Sequence, residues 1–307
     1  MQFVRTLLTE EMLMDDEYSK MMAEMQKKAL EMQKQMMEQM GIEMPEGTED
    51  YMQQAMAQQT AFAQQMQGMT PQEIMEAAQA DLEESGYFDE DYDPEAEKAF
   101  IAANPVPPEC SRYLPIGALL IGTWGEPYET LAITAEPDEI AYALENGWGI
   151  ESREDGLEML ASLLEGRHAR KFKKVHEALK AGNFDEADEE DAEDYALSVE
   201  GITDALRLPK SLVDNCATLF AWDLERIGYL ARLFVKIGYI SEDEAWTWIQ
   251  KAAVEIKKNF KNWDEYIVSI LLGRGFAMGV AQEPYLVAYD LLNDSRAFLD
   301  SRPISDL

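Results

Sequence analysis

Residues 216–279 read CATLFAWDLERIGYLARLFVKIGYISEDEAWTWIQKAAVEIKKNFKNWDEYIVSILLGRGFAMG, and this stretch decides the fold. Leu219, Phe220, Ile227, Leu230, Phe234 and Ile237 recur at the helical period, and Gly238 ends the run. Ser241 with Glu244 three residues on is a capping box, the reciprocal pair that satisfies two orphan amides at a helix start. The helix it opens turns Ala245, Trp246, Ile249, Ala253, Ile256 and Phe260 inward. Asn262 and Glu265 repeat the pattern for a third helix, with Trp263, Tyr266, Ile267, Ile270 and Leu271 on one face. Three capped amphipathic helices in succession predict an all-α, compact multi-helix domain.

Two charges stand where apolar residues belong. Asp223 lies in the stripe between Phe220 and Ile227, and Arg274 continues the stripe after Ile270 and Leu271. Buried charges persist when they are paired and hydrogen-bonded. The expectation is therefore one polar cluster of Asp223, Arg226, Glu244 and Arg274. Gly273 and Gly275 flank the arginine, which points to a close helix neighbour there. Such a cluster either fixes helix register or forms a carboxylate–arginine site, with Asp223, Glu244 and Arg274 as the residues of a carboxylate-based enzyme. Structural pairs commonly give this pattern, so the register-fixing reading is adopted. On that reading Arg274→Ala strands a carboxylate and costs about 3–5 kcal/mol.

Four segments follow one another in order: WGIESREDGLEMLASLL (Trp148 to Leu164), AWDLERIGYLARL (Ala221 to Leu233), GYISEDEAW (Gly238 to Trp246) and NWDEYIVSILLGRGF (Asn262 to Phe276). Together they resemble the bacterial family known as domain of unknown function 1266, over about Leu114 to Leu292. That family usually carries an aromatic after its glycine–arginine pair; here Phe276 follows an extra Gly275. The resemblance implies a helical domain of bacterial origin without an agreed catalytic residue set. It also implies variable gene neighbourhoods, sometimes beside toxin or secretion genes.

Composition divides the chain. Sixteen of its 18 methionines precede residue 76. Met14, Met21, Met25, Met32, Met36 and Met40 follow one helical stripe, and Met52, Met56 and Met66 a second after the turn GIEMPEG. Residues 1–85 are thus expected to be a Met/Gln-rich helical hairpin plus an extra helix opened by Thr70, Pro71 and Glu73. Exposed methionine faces bind varied apolar partners, so these residues are candidates for a client helix or for self-association. Residues 86–113 read as an acidic, Pro-rich connector, and 114–307 as the helical domain. Within it, 116–133 is open between a short helix and small strands, 197–208 reads as a helix, and 285–299 as a final one. Arg167 to Lys180 is a basic helix that holds both histidines, His168 and His176, read as solvated. The run Asp185 to Asp194 after it, with eight carboxylates in ten positions, reads as an acidic loop.

A formal charge of −34 argues against nucleic-acid binding, which needs an excess of Lys and Arg. It suits a basic protein partner reached by electrostatic steering. Two distant cysteines, no signal-peptide pattern and no run of roughly 18 apolar residues point to the cytoplasm, with no membrane partner. Metal-ligand spacing, phosphate-binding glycine loops and the serine elbow are absent from the sequence, so neither a metal nor a cofactor is expected. The leading functional expectation is a non-enzymatic protein-binding role, most concretely an immunity protein that neutralises a basic bacterial toxin or secreted effector. An adaptor or chaperone-like role through the methionine face is the alternative.

Overall fold

From Ala221 to Phe234 every residue is buried, so the helix Phe220–Lys236 has no solvent face over most of its length. The remaining helices surround it. The computed structural model describes residues 93–307, with helices α1 (Pro94–Ala103), α2 (Ala118–Gly122), α3 (Pro137–Trp148), α4 (Arg153–Leu164), α5 (Arg167–Lys180) and α6 (Glu189–Glu200). After these come α7 (Lys210–Asp214), the central α8 (Phe220–Lys236), α9 (Glu242–Asn259), α10 (Trp263–Met278), α11 (Glu283–Leu292) and α12 (Arg296–Asp300). No strand occurs among the described residues, so the protein is all-α there and the question over 116–133 is answered by α2. The expected Met-rich hairpin, with Met14 through Met66, lies outside the described residues.

The caps read from sequence close the helices they were assigned to. Ser241 accepts from the Glu244 amide while the Glu244 carboxylate accepts from the Ser241 amide, and Asn262 accepts from the Glu265 amide. Ser152 does the same for α4 through the Asp155 amide. Each such cap contributes about 1 kcal/mol. Gly238, at φ 75°, follows α8 in the left-handed conformation that glycine adopts without a steric penalty.

Packing runs outward from α8, which touches α9 and α10 most extensively and then α4, α2 and α5. Two approaches are close enough to need glycine. A Cβ at Gly273 would stand 2.6 Å from Cβ of Trp222, so α10 crosses α8 backbone to backbone. At Gly228 it would stand 2.2 Å from the Ile116 carbonyl oxygen, where the chain entering α2 lies flat on α8. The glycines beside Arg274 therefore do mark close neighbours: α8 at Gly273, and Ser198 of α6 at Gly275.

Three boundaries differ from expectation. The connector expected at 86–113 contributes structure from Asp93 onward, because Asp93 caps α1 by accepting from the amides of Glu95 and Ala96. The acidic run is not one loop. Asp188 caps α6 and places Glu189, Glu190 and Asp191 in its first turn, where the helix dipole favours carboxylates. The helix expected over 197–208 ends as a π turn, Gly201–Ala205, and the one expected over 285–299 breaks between α11 and α12.

Candidate functional site

Four charged residues of α8 are buried: Asp223, Glu225 and Arg232 with no exposure, and Arg226 with 6%. Glu225 accepts from the amides of Gly117 and Leu119, both at 2.9 Å, and Leu120 at 3.2 Å, and from the Tyr266 hydroxyl at 3.0 Å. It thereby caps α2 from a distance, since Gly117 at that helix's N-cap has no side chain and φ 92°. Arg232 donates to the carbonyls of Leu114 (2.9 Å), Ile116 (2.8 Å) and Gly228 (2.9 Å). Together these two side chains pin residues 114–120 to α8. Burial drives the Arg232 guanidinium down to about 10, and Glu225 opposes that.

Asp223 does for α5 what Glu225 does for α2. It accepts from the amides of His168 (3.1 Å) and Ala169 (2.8 Å), and the N-cap is again a left-handed glycine, Gly166. One Asp223 oxygen also takes Arg226 Nη2 at 2.8 Å and lies 3.0 Å from His168 Nδ1. Arg226 further donates from Nε to the Trp222 carbonyl, and its Nη2 reaches His168 Nδ1. Burial lowers the Arg226 guanidinium to about 10, with Asp223 opposing.

Beyond Arg226 the structure opens into a cleft of about 780 Å³. Trp124, from the turn after α2, Tyr142 and Trp148 of α3, and Trp222 and Tyr229 of α8 form its walls, with Arg274, Met278 and Glu283 at the α10–α11 end. Tyr229 sits against two of these rings, edge-on to Trp124 at 5.6 Å and stacked on Trp148 at 5.9 Å. The Arg226 guanidinium lies over the rings of Trp222 (4.5 Å) and Trp148 (5.7 Å), a cation–π pairing on the inner wall. Trp124 is 40% exposed, Tyr142 70% and Met278 68%, three large apolar side chains left to solvent around one opening. Trp222 Nε1 is buried with no acceptor among the described residues, an arrangement that costs about 1–3 kcal/mol when nothing completes it.

The four residues expected to cluster divide into three places. Asp223 and Arg226 are paired, as expected. Glu244 is not with them: it pairs with Arg153 at 2.6 Å on the surface, both side chains more than two-fifths exposed. The physical reason is its capping-box role, which holds it at the first turn of α9 and away from the core. Arg274 is half-buried at the cleft and donates to the Gly279 carbonyl; the carboxylates nearest it in effect are Glu283 and Asp194. The carboxylate–arginine enzyme site of Asp223, Glu244 and Arg274 is therefore not assembled, and Arg274 does not hold Asp223. The histidines were misplaced too. His168 sits against Asp223, and His176 is 2% exposed among Tyr195 and Phe276, its imidazole driven down to about 4 by burial and then by Lys180.

The family described as a protein of unknown function, DUF1266, matches residues 143–299, just over half of the chain. The chain belongs to that family. The matched span carries Trp148, Trp222, Arg226, Tyr229, Arg274, Met278 and Glu283 of the cleft, whereas Trp124 and Tyr142 stand outside it. An uncharacterised protein of Escherichia coli strain K12, YbeR, is 26% identical over 144 residues, 44% of this chain. The alignment spans 57% of that relative's length. No solved structure matches the chain.

Sequence reasoning missed the cleft, Glu225 and Arg232 in this DUF1266 domain. The signal for the two charges was present: α8 runs FAWDLERIGYLARLFVK, with no contiguous polar face for a charge to occupy. Among the described residues no helix is long and apolar enough to cross a membrane.

Proposed function

We propose that this chain is a non-enzymatic binding protein that holds a partner protein through the aromatic cleft. One observation carries the reading: Trp124, Tyr142 and Met278, all substantially exposed, ring the same 780 Å³ opening above a floor of buried aromatics. Exposed aromatics around a concave site are what a partner's anchor side chains dock against, and Trp, Tyr and Arg dominate the energy of such contacts. The buried charges of α8 support the same reading, because Asp223, Glu225 and Arg232 are engaged in holding helix starts and loop carbonyls.

In its narrowest form the partner is a bacterial toxin and the chain its immunity protein. The formal charge of −34 supports this version, since a basic toxin would be steered toward such a surface. The test is affinity capture by the full chain in its native host, with wild type beside a Trp124→Ser/Tyr142→Ser variant. A partner retained by the wild type and lost by the folded variant is the expected result. If growth arrest by that partner is relieved on co-expression of the chain, the immunity form holds. Identical partners on both proteins would sink the cleft as the docking surface.

A further inference from the structure

Two guanidinium groups, those of Arg226 and Arg274, line the cleft. Trp222 Nε1 is buried and has no acceptor among the described residues. Among the described residues the bonds of Arg226 engage Nε and Nη2 but not Nη1, and the bond of Arg274 to the Gly279 carbonyl engages Nη1 but not Nε or Nη2. Glu283 is the single carboxylate on the lining, against two guanidinium groups. The remaining lining is dominated by aromatic and apolar side chains.

We infer that the cleft recognises a carboxylate flanked by apolar or aromatic side chains, presented by a segment of the partner protein. The inference rests on the docking reading above and adds the chemistry of what docks. A carboxylate is the group that guanidinium donors hold best, and an arginine that lies over indole rings, as Arg226 does, keeps its edge for hydrogen bonds. Burial strengthens the preference. Removing a guanidinium from water lowers its stability as a cation, as the downward displacement of both Arg226 and Arg274 shows, and an arriving carboxylate restores it. The surrounding acidity limits the choice further. With −34 formal charges on the chain, an acidic run would be repelled, so one carboxylate among apolar neighbours is the form that enters.

Three of the chain's six tryptophans, Trp124, Trp148 and Trp222, line the cleft, so their fluorescence reports occupancy directly. The probes are acetyl-Phe-Asp-Phe-Leu-amide and the same peptide with Asn or Lys in place of Asp, titrated into the full chain. The Asp peptide is expected to bind at least about tenfold tighter than the Asn peptide, the worth of one charge-assisted contact. Arg274→Met should abolish that preference while leaving Asn-peptide binding in place, and Arg274→Lys should keep part of it. Equal binding of Asp and Asn peptides by the wild type overturns the carboxylate inference and leaves the docking cleft standing. Preference for the Lys peptide overturns it in favour of a cationic anchor. Absence of binding by all three peptides overturns the inference as well, and the capture experiment with Trp124 and Tyr142 then decides the cleft separately.

Discussion

Helices α2 and α5 start alike, each on a left-handed glycine without a side-chain cap, each closed by a carboxylate that α8 sends across. Their surroundings then diverge. Glu225 is sealed between three amides, Tyr266 and the neighbouring charge of Arg232. Asp223 shares its oxygens with Arg226 and His168, and His168 is 22% exposed while Arg226 reaches the cleft wall. The same device is a sealed joint at one site and the inner support of a binding surface at the other. Burial of the partners, more than the chemistry of the carboxylate, determines which use a charge can have.

The largest expected effect falls on the sealed joint. Glu225→Ala leaves three amides, a tyrosine hydroxyl and a buried arginine unmatched, and should cost about 3–5 kcal/mol, read from the urea midpoint at pH 7. Asp223→Ala should cost less, about 1–3 kcal/mol, because His168 is 22% exposed and water can enter from its side of the joint. Equal losses in the two variants would erase the distinction between the joints.

Acid sharpens a second contrast, between the two histidines of α5. His176 titrates near 4 when folded and near the ordinary 6.5 when unfolded, so the unfolded state binds the extra proton between those values. Its depressed value makes stability rise with pH across that window, and the contribution is lost as pH falls from about 6.5 to 4. The loss is about 3.5 kcal/mol at most, at roughly 1.4 kcal/mol for each of about 2.5 pH units. Lys180 on α5 acts on it, Lys173 and Glu177 of the same helix line the same hollow, and the rings of Tyr195 and Phe276 face it, and His176→Leu should flatten this part of the pH profile. A profile unchanged by the substitution would assign the acid sensitivity elsewhere. The smallest effect belongs to the surface: Glu244→Gln breaks the pair with Arg153 yet retains a capping side chain, and thermal melting should barely move.

How much of this could be read in advance depends on where a residue's partner lies. Ser241, Asn262 and Ser152 cap amides three residues away, so their partners are in the same short window and the helix starts were legible. Asp223 with Arg226, one helical turn apart, was legible for the same reason. Glu225 caps an amide 108 residues away and Arg232 donates to a carbonyl 118 residues away, separations that local periodicity does not encode. Reading α8 as a one-sided stripe put both charges on a solvent face that does not exist. Glu244 was assigned two roles, cap and core charge, and the cap alone is geometrically available at the first turn. The cleft draws on six elements or turns, and only Trp222, Arg226 and Tyr229 share one helix face, so it emerges only once α3, α8 and α10 are side by side.

Separation of structural charge from binding charge is tested most directly by Arg274→Met, melted and titrated with the Asp peptide in the same preparation. The expected result is a melting temperature within about 2 °C of wild type, consistent with a change well under 1 kcal/mol in a body of this size, together with at least a tenfold loss of peptide affinity. A melting temperature that collapses as for Glu225→Ala, with peptide binding by the folded fraction unchanged, would make Arg274 a structural charge and contradict the division.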